Sequence, residues 1–84
     1  MPNSYAQRSG NALWAVKNVI KLNTIDNASV EVFNIKGNVI RSLKFTPGNH
    51  YIPLGGLPQG MYIVTVRSAS WQKTLKLRCV YVYD

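Results

Sequence analysis

Between Val30 and Val66 the chain reads VEVFNIKGNVIRSLKFTPGNHYIPLGGLPQGMYIVTV, and this run constrains the fold more than any other feature. Short stretches rich in β-branched and aromatic residues are interrupted by turns that carry Gly or Pro. Such residues fit a pleated, half-buried surface, and the turn residues punctuate it at strand spacing. Ser29–Ile35 alternates Val30 and Val32 on one face with Glu31 and Phe33 on the other. Asn34–Asn38 reads as a hairpin connection with Gly37 at the positive-φ position. Val39–Phe45 returns, Thr46–Asn49 turns, and His50–Leu54 is a short strand whose Pro53 confines it to an edge or an early end. Gly55–Gly60 is a compact turn. Met61–Arg67 follows, with Tyr62, Val64 and Val66 in one stripe.

The flanks continue the pattern. Ala12–Val16 and Val19–Leu22 read as short strands, with Lys17 and Lys21 facing water and Asn23–Asn27 as a turn of self-bonding Asn and Asp side chains. Val16, Val19 and Ile20, with no clean cap, argue against a helix over Ala12–Leu22. Trp71–Tyr83 is the last extended run, with Leu75, Leu77 and Cys79 opposite Lys76, Arg78 and Val80. Residues 1–11, polar and rich in Ser, Asn and Gly, read as a flexible linker, leaving 12–84 as the folded domain. Turn signals at this spacing predict an all-β fold, a small antiparallel β-sandwich of about seven strands. Trp14, Phe33 and Tyr62 are expected in its core.

A chain of 84 residues makes one domain, and a domain of that size has a thin stability margin. With a single cysteine, Cys79, no internal disulfide can widen it, so apolar packing must suffice. Cys79 itself reads as a half-buried strand residue. No segment approaches the length of a transmembrane helix. The N-terminal residues lack the apolar core of a signal peptide, which leaves a cytoplasmic protein or, the favoured reading, a piece of an exported protein whose signal lies far upstream.

Ten Lys and Arg against three Asp and Glu give a net charge of +7, spread singly along the chain. Such a field draws polyanions, whether nucleic acid, acidic polysaccharide or an anionic membrane surface, and it also protects sheet edges from pairing. The inventory for catalysis is poor. Asp26, Glu31 and Asp84 are the only carboxylate side chains, His50 is the only histidine, and Cys79 is remote from it in sequence. Neither a carboxylate pair, a nucleophile–base pair nor a metal-ligand cluster is spelled out, and Gly55, Gly56 and Gly60 lack the Lys-Ser/Thr of a phosphate loop. No enzyme, cofactor or metal is expected. No RNA-recognition motif is present, and nucleic acid is not the expected partner. Aromatics are plentiful, however, and Trp71 and Tyr51 are the residues through which a sugar-binding sandwich would stack on a glycan.

Three elements of the sequence together resemble a known family. Val30, Val32, Phe33, Asn34 and Gly37 form a V-x-V-F-N strand running into a glycine turn. Val39-Ile40-Arg41 follows. Leu57, Gly60, Tyr62, Val64 and Val66 then spell L-x-x-G-x-Y-x-V-x-V, ahead of a basic strand at Lys73-Thr74-Leu75-Lys76-Leu77. Over roughly residues 18–80 this is similar to the C-terminal sorting domain of the type IX secretion system, the Por secretion tail family. The resemblance implies an immunoglobulin-like sandwich at the C-terminus of a larger exported bacterial protein, recognised by outer-membrane secretion machinery. It also implies a location outside the cell or on its surface, in many systems with anchoring to lipopolysaccharide. In composition the chain also resembles basic terminal domains of fibre-degrading enzymes. Gly37, Leu57, Gly60, Tyr62, Val64 and Val66 would build the fold, and Lys73, Lys76 and Arg78 would carry partner recognition. The chain continues past that strand with Val80-Tyr81-Val82-Tyr83-Asp84, so the last strand would be displayed as an export signal or would pair with a partner as a sheet-edge strand. The alternative is an accessory module of a polysaccharide-degrading enzyme, binding carbohydrate or the cell envelope through Trp71 and Tyr51.

Overall fold

The computed structural model describes residues 10–80. Seven strands form: β1 (Ala12–Val16), β2 (Val19–Thr24), β3 (Ala28–Asn34), β4 (Val39–Phe45), β5 (Gly48–Pro53), β6 (Gly60–Ser68) and β7 (Gln72–Cys79). There is no helix among the described residues. The strands make two antiparallel sheets, one of three strands in the order β1-β2-β5 and one of four in the order β4-β3-β6-β7. The fold is thus the expected small β-sandwich.

Alternation builds the core. Leu13, Ile20, Leu22 and Ile52 face inward from the three-stranded sheet, joined by Leu54 just past β5. Val30, Val32, Tyr62, Val64, Val66, Leu77 and Cys79 oppose them from the other sheet. From Ala28 to Phe33 in β3 and from Met61 to Arg67 in β6, buried and more exposed positions alternate, which pins the register, since a one-residue slip would turn Val30, Val32, Val64 and Val66 to solvent. β5 lies at an edge, as Pro53 requires, because its missing N–H would break a central ladder.

Turn chemistry fixes the connections. The Asn34 side chain accepts the Lys36 and Asn38 amides at 2.9 and 3.0 Å, and Gly37 adopts φ +92°. In the β1–β2 turn Lys17 takes φ +55°, an uncommon conformation for a residue bearing Cβ. The tip of that turn also joins the sheets. The Asn18 side chain donates to the Val80 carbonyl at 2.8 Å and accepts the Val80 amide at 3.3 Å, while its own carbonyl accepts the Leu54 amide at 2.7 Å. The Arg41 guanidinium provides a second link, donating from β4 to the Pro53 carbonyl at 3.3 Å.

Two expected core residues lie elsewhere, and two further expectations fall partly outside the described residues. Of the last extended run expected over Trp71–Tyr83, the described residues form a strand over Gln72–Cys79, and residues 81–83 lie outside them. The linker expected over 1–11 falls mainly on residues 1–9, also outside them. Trp14 is not a core residue. It sits in β1 between inward Leu13 and half-buried Ala15, so alternation turns it outward, 44% exposed. Phe33 is only half-buried, on the outer face of the four-stranded sheet opposite Ile63.

Candidate functional site

The motif residues of the Leu57–Val66 segment are fold-makers by position. Tyr62 is buried, and its hydroxyl donates to the Pro58 carbonyl at 2.6 Å. This backward bond from a tyrosine near a strand start belongs to the tyrosine corner of immunoglobulin-like sandwiches. Leu57 packs against the core, and its amide bonds the Leu54 carbonyl at 3.3 Å. Gly60 opens β6, and Val64 and Val66 are wholly buried.

The basic strand stands at the edge of the four-stranded sheet, paired only with β6. Its register sets Lys76 opposite Ile63 and Arg78 opposite Met61, both on the outer face. Lys73 pairs with inward Val66 and therefore has the other parity, though it is exposed near the strand's start. Lys76 and Arg78 thus share a face, and Lys73 does not join them.

What sequence reasoning missed is the surface beside that pair. Pairing across β4, β3, β6 and β7 aligns Val39, Phe33, Ile63 and Lys76 in one row. Met61, with Arg78 as its partner, lies beside that row. Val39 and Met61 are exposed, and a bulge between Val32 and Phe33 disturbs the ladder at this point. An outward apolar patch therefore occupies one end of the sheet, with Lys76 closing one row and Arg78 beside Met61 in the next. The next full row, Ser42, Glu31, Thr65 and Thr74, is polar. Alternation in each strand carries this information, but only the register assembles it.

The proposed glycan-stacking pair is not brought together. Trp71 is half-buried just before β7, packed against the core, with its indole N–H donating to buried Thr24 Oγ1 at 3.1 Å. Tyr51 lies on the other sheet, in β5, 70% exposed and paired with Lys21.

The titratable groups that catalysis would need are dispersed. His50 Nε2 donates to the Thr46 carbonyl at 2.7 Å, with the ring against Phe45. Cys79 is buried, and burial pushes its thiol pKa up, the opposite of an activated nucleophile. Asp26 accepts the Ser70 hydroxyl, tying the β2–β3 turn to the β6–β7 turn. No group of three or more His, Cys, Asp or Glu able to hold a metal occurs among the described residues.

A search among curated proteins finds no match. A family model described as "Secretion system C-terminal sorting domain" does match, over residues 16–79, from the end of β1 to the last residue of β7. The sandwich, its tyrosine corner and its basic edge strand all lie within that span, and the chain belongs to the Por secretion tail family, the C-terminal sorting domains of type IX secretion.

Proposed function

We propose that this chain is the C-terminal export signal of a larger bacterial protein that enters the secretory route through an upstream signal peptide. Outer-membrane machinery reads it as a folded sandwich. The coarser part follows from family membership: a type IX sorting domain, part of a secreted or cell-surface protein that interacts with secretion machinery. The family is one of sorting signals rather than catalysts.

The observation that carries the finer reading is the outer face of the four-stranded sheet. Lys76 and Arg78 stand there beside the row Val39, Phe33 and Ile63 on an edge strand with one side unpaired by any sheet partner. An apolar centre with a cationic rim suits a receptor that offers an apolar patch bordered by acids, or one that adds a strand to β7. Neither mode requires chemistry from the domain.

The test is a reporter fused ahead of the chain, behind a signal peptide, in a cell with the type IX system. Export should follow the wild-type domain and fall at least tenfold when Lys76 and Arg78 are both changed to Glu. Folding is checked independently by the thermal midpoint of the purified variant. A reporter held in the periplasm by the wild-type domain would overturn the proposal.

A further inference from the structure

The three-stranded sheet carries a second surface, on the opposite side of the sandwich from the one assigned to export. Pairing aligns Trp14, Lys21 and Tyr51 in one row across β1, β2 and β5. All three have outward parity: Leu13 and the β2 and β5 neighbours Ile20, Leu22 and Ile52 are buried. The lysine therefore stands between two aromatic rings carried two strands apart, about 10 Å at the backbone. That span is close to the length of a disaccharide. One row further, Asn23 and Asn49 are paired with each other. No hydrogen bond within the described residues occupies either side-chain amide, so both can serve ligand hydroxyls.

The charge pattern narrows the ligand. None of the three strands contains an Asp or Glu. The Lys21 ammonium instead lies 5.4 Å from the centre of the Tyr51 ring. An exposed cation–π contact is weaker than a charge-assisted bond to a carboxylate, so an arriving acid displaces the ammonium and frees the ring face. A sheet face with two aromatic side chains, amides beside them and a cation between them fits a chain of pyranose rings that bears carboxylates. Neutral glycans would leave the cation unused.

We infer that the outer face of the three-stranded sheet binds an acidic polysaccharide, with Trp14 and Tyr51 stacking on sugar rings and Lys21 pairing with a uronate carboxylate between them. This goes beyond sorting: it would give the domain an affinity for uronic-acid glycans that does not depend on the export surface.

Affinity electrophoresis of the full chain through gels containing polygalacturonate, with dextran gels as the neutral control, tests this. Retardation by polygalacturonate and not by dextran is expected. Trp14→Ala or Tyr51→Ala should weaken it at least tenfold, Lys21→Gln severalfold, and the pair Lys76→Gln and Arg78→Gln by less than twofold. All these side chains are exposed or half-exposed, so the variants should keep the wild-type thermal midpoint. Absence of retardation, retardation that survives loss of both aromatic residues, or an equal loss in the Lys76/Arg78 variant would overturn the inference. So would equal or tighter binding of a single-stranded oligonucleotide at matched ionic strength, which would mark the face as a base-stacking platform.

Discussion

Tyr62 serves two demands with one side chain, filling the core with its ring and anchoring the preceding turn with its hydroxyl. Tyr62→Phe keeps the packing and removes the bond to Pro58, so it should cost about 1 kcal/mol in urea denaturation with an unchanged m value. Cys79 makes a different prediction. Burial raises its pKa, so the folded state holds the thiol proton at a pH where the unfolded chain has released it. Its contribution is therefore complete below the ordinary thiol range, about pH 8.5, and is lost as pH rises through and above it. Cys79→Val should flatten the decline in stability measured between pH 7 and pH 10, whereas an identical slope in both proteins would contradict the assignment. Individual residues were unevenly legible in sequence. Tyr62, Val64 and Val66 declare themselves by period-two alternation. Trp14 does not, because its size argues for the core while its parity, fixed by buried Leu13, argues for the surface, and parity wins.

At the scale of elements, turns were the most readable parts. Gly37 and the Asn34 side chain set the β3–β4 hairpin, and Pro53 placed β5 at an edge, because these residues act through their own backbone. Partnership between strands was not readable. Nothing local in β1, β2 and β5 says that Trp14, Lys21 and Tyr51 will form a row, or that Lys73 will part from Lys76 and Arg78, since registers come from long-range pairing. The clasp of Asn18 on Val80 was equally hidden, joining residues 62 apart in sequence. It fixes the end of β7 against the β1–β2 turn. Asn18→Ala removes both side-chain bonds while keeping the backbone carbonyl that holds Leu54. Hydrogen exchange should then quicken about tenfold at Val80, with the centre of β6 unchanged. Uniform acceleration throughout would mean instead that the clasp supports the whole sandwich.

As a whole molecule, the domain presents two chemically different sheet faces on one core. The four-stranded sheet presents an apolar patch edged by Lys76 and Arg78, and the three-stranded sheet presents Trp14, Lys21 and Tyr51 with no acid among its strands. A net charge of +7 biases both faces toward anionic partners, and the register decides what each can recognise. Which sheet is read during sorting is measured by the exported fraction of one reporter fused to three forms of the domain: wild type, Ile63→Asp with Lys76→Glu, and Trp14→Ala with Tyr51→Ala. If sorting is read from the four-stranded sheet, the first and third reporters leave the cell alike and the second remains in the periplasm while still folded. Undiminished export of the second, or loss of the third, would contradict the account.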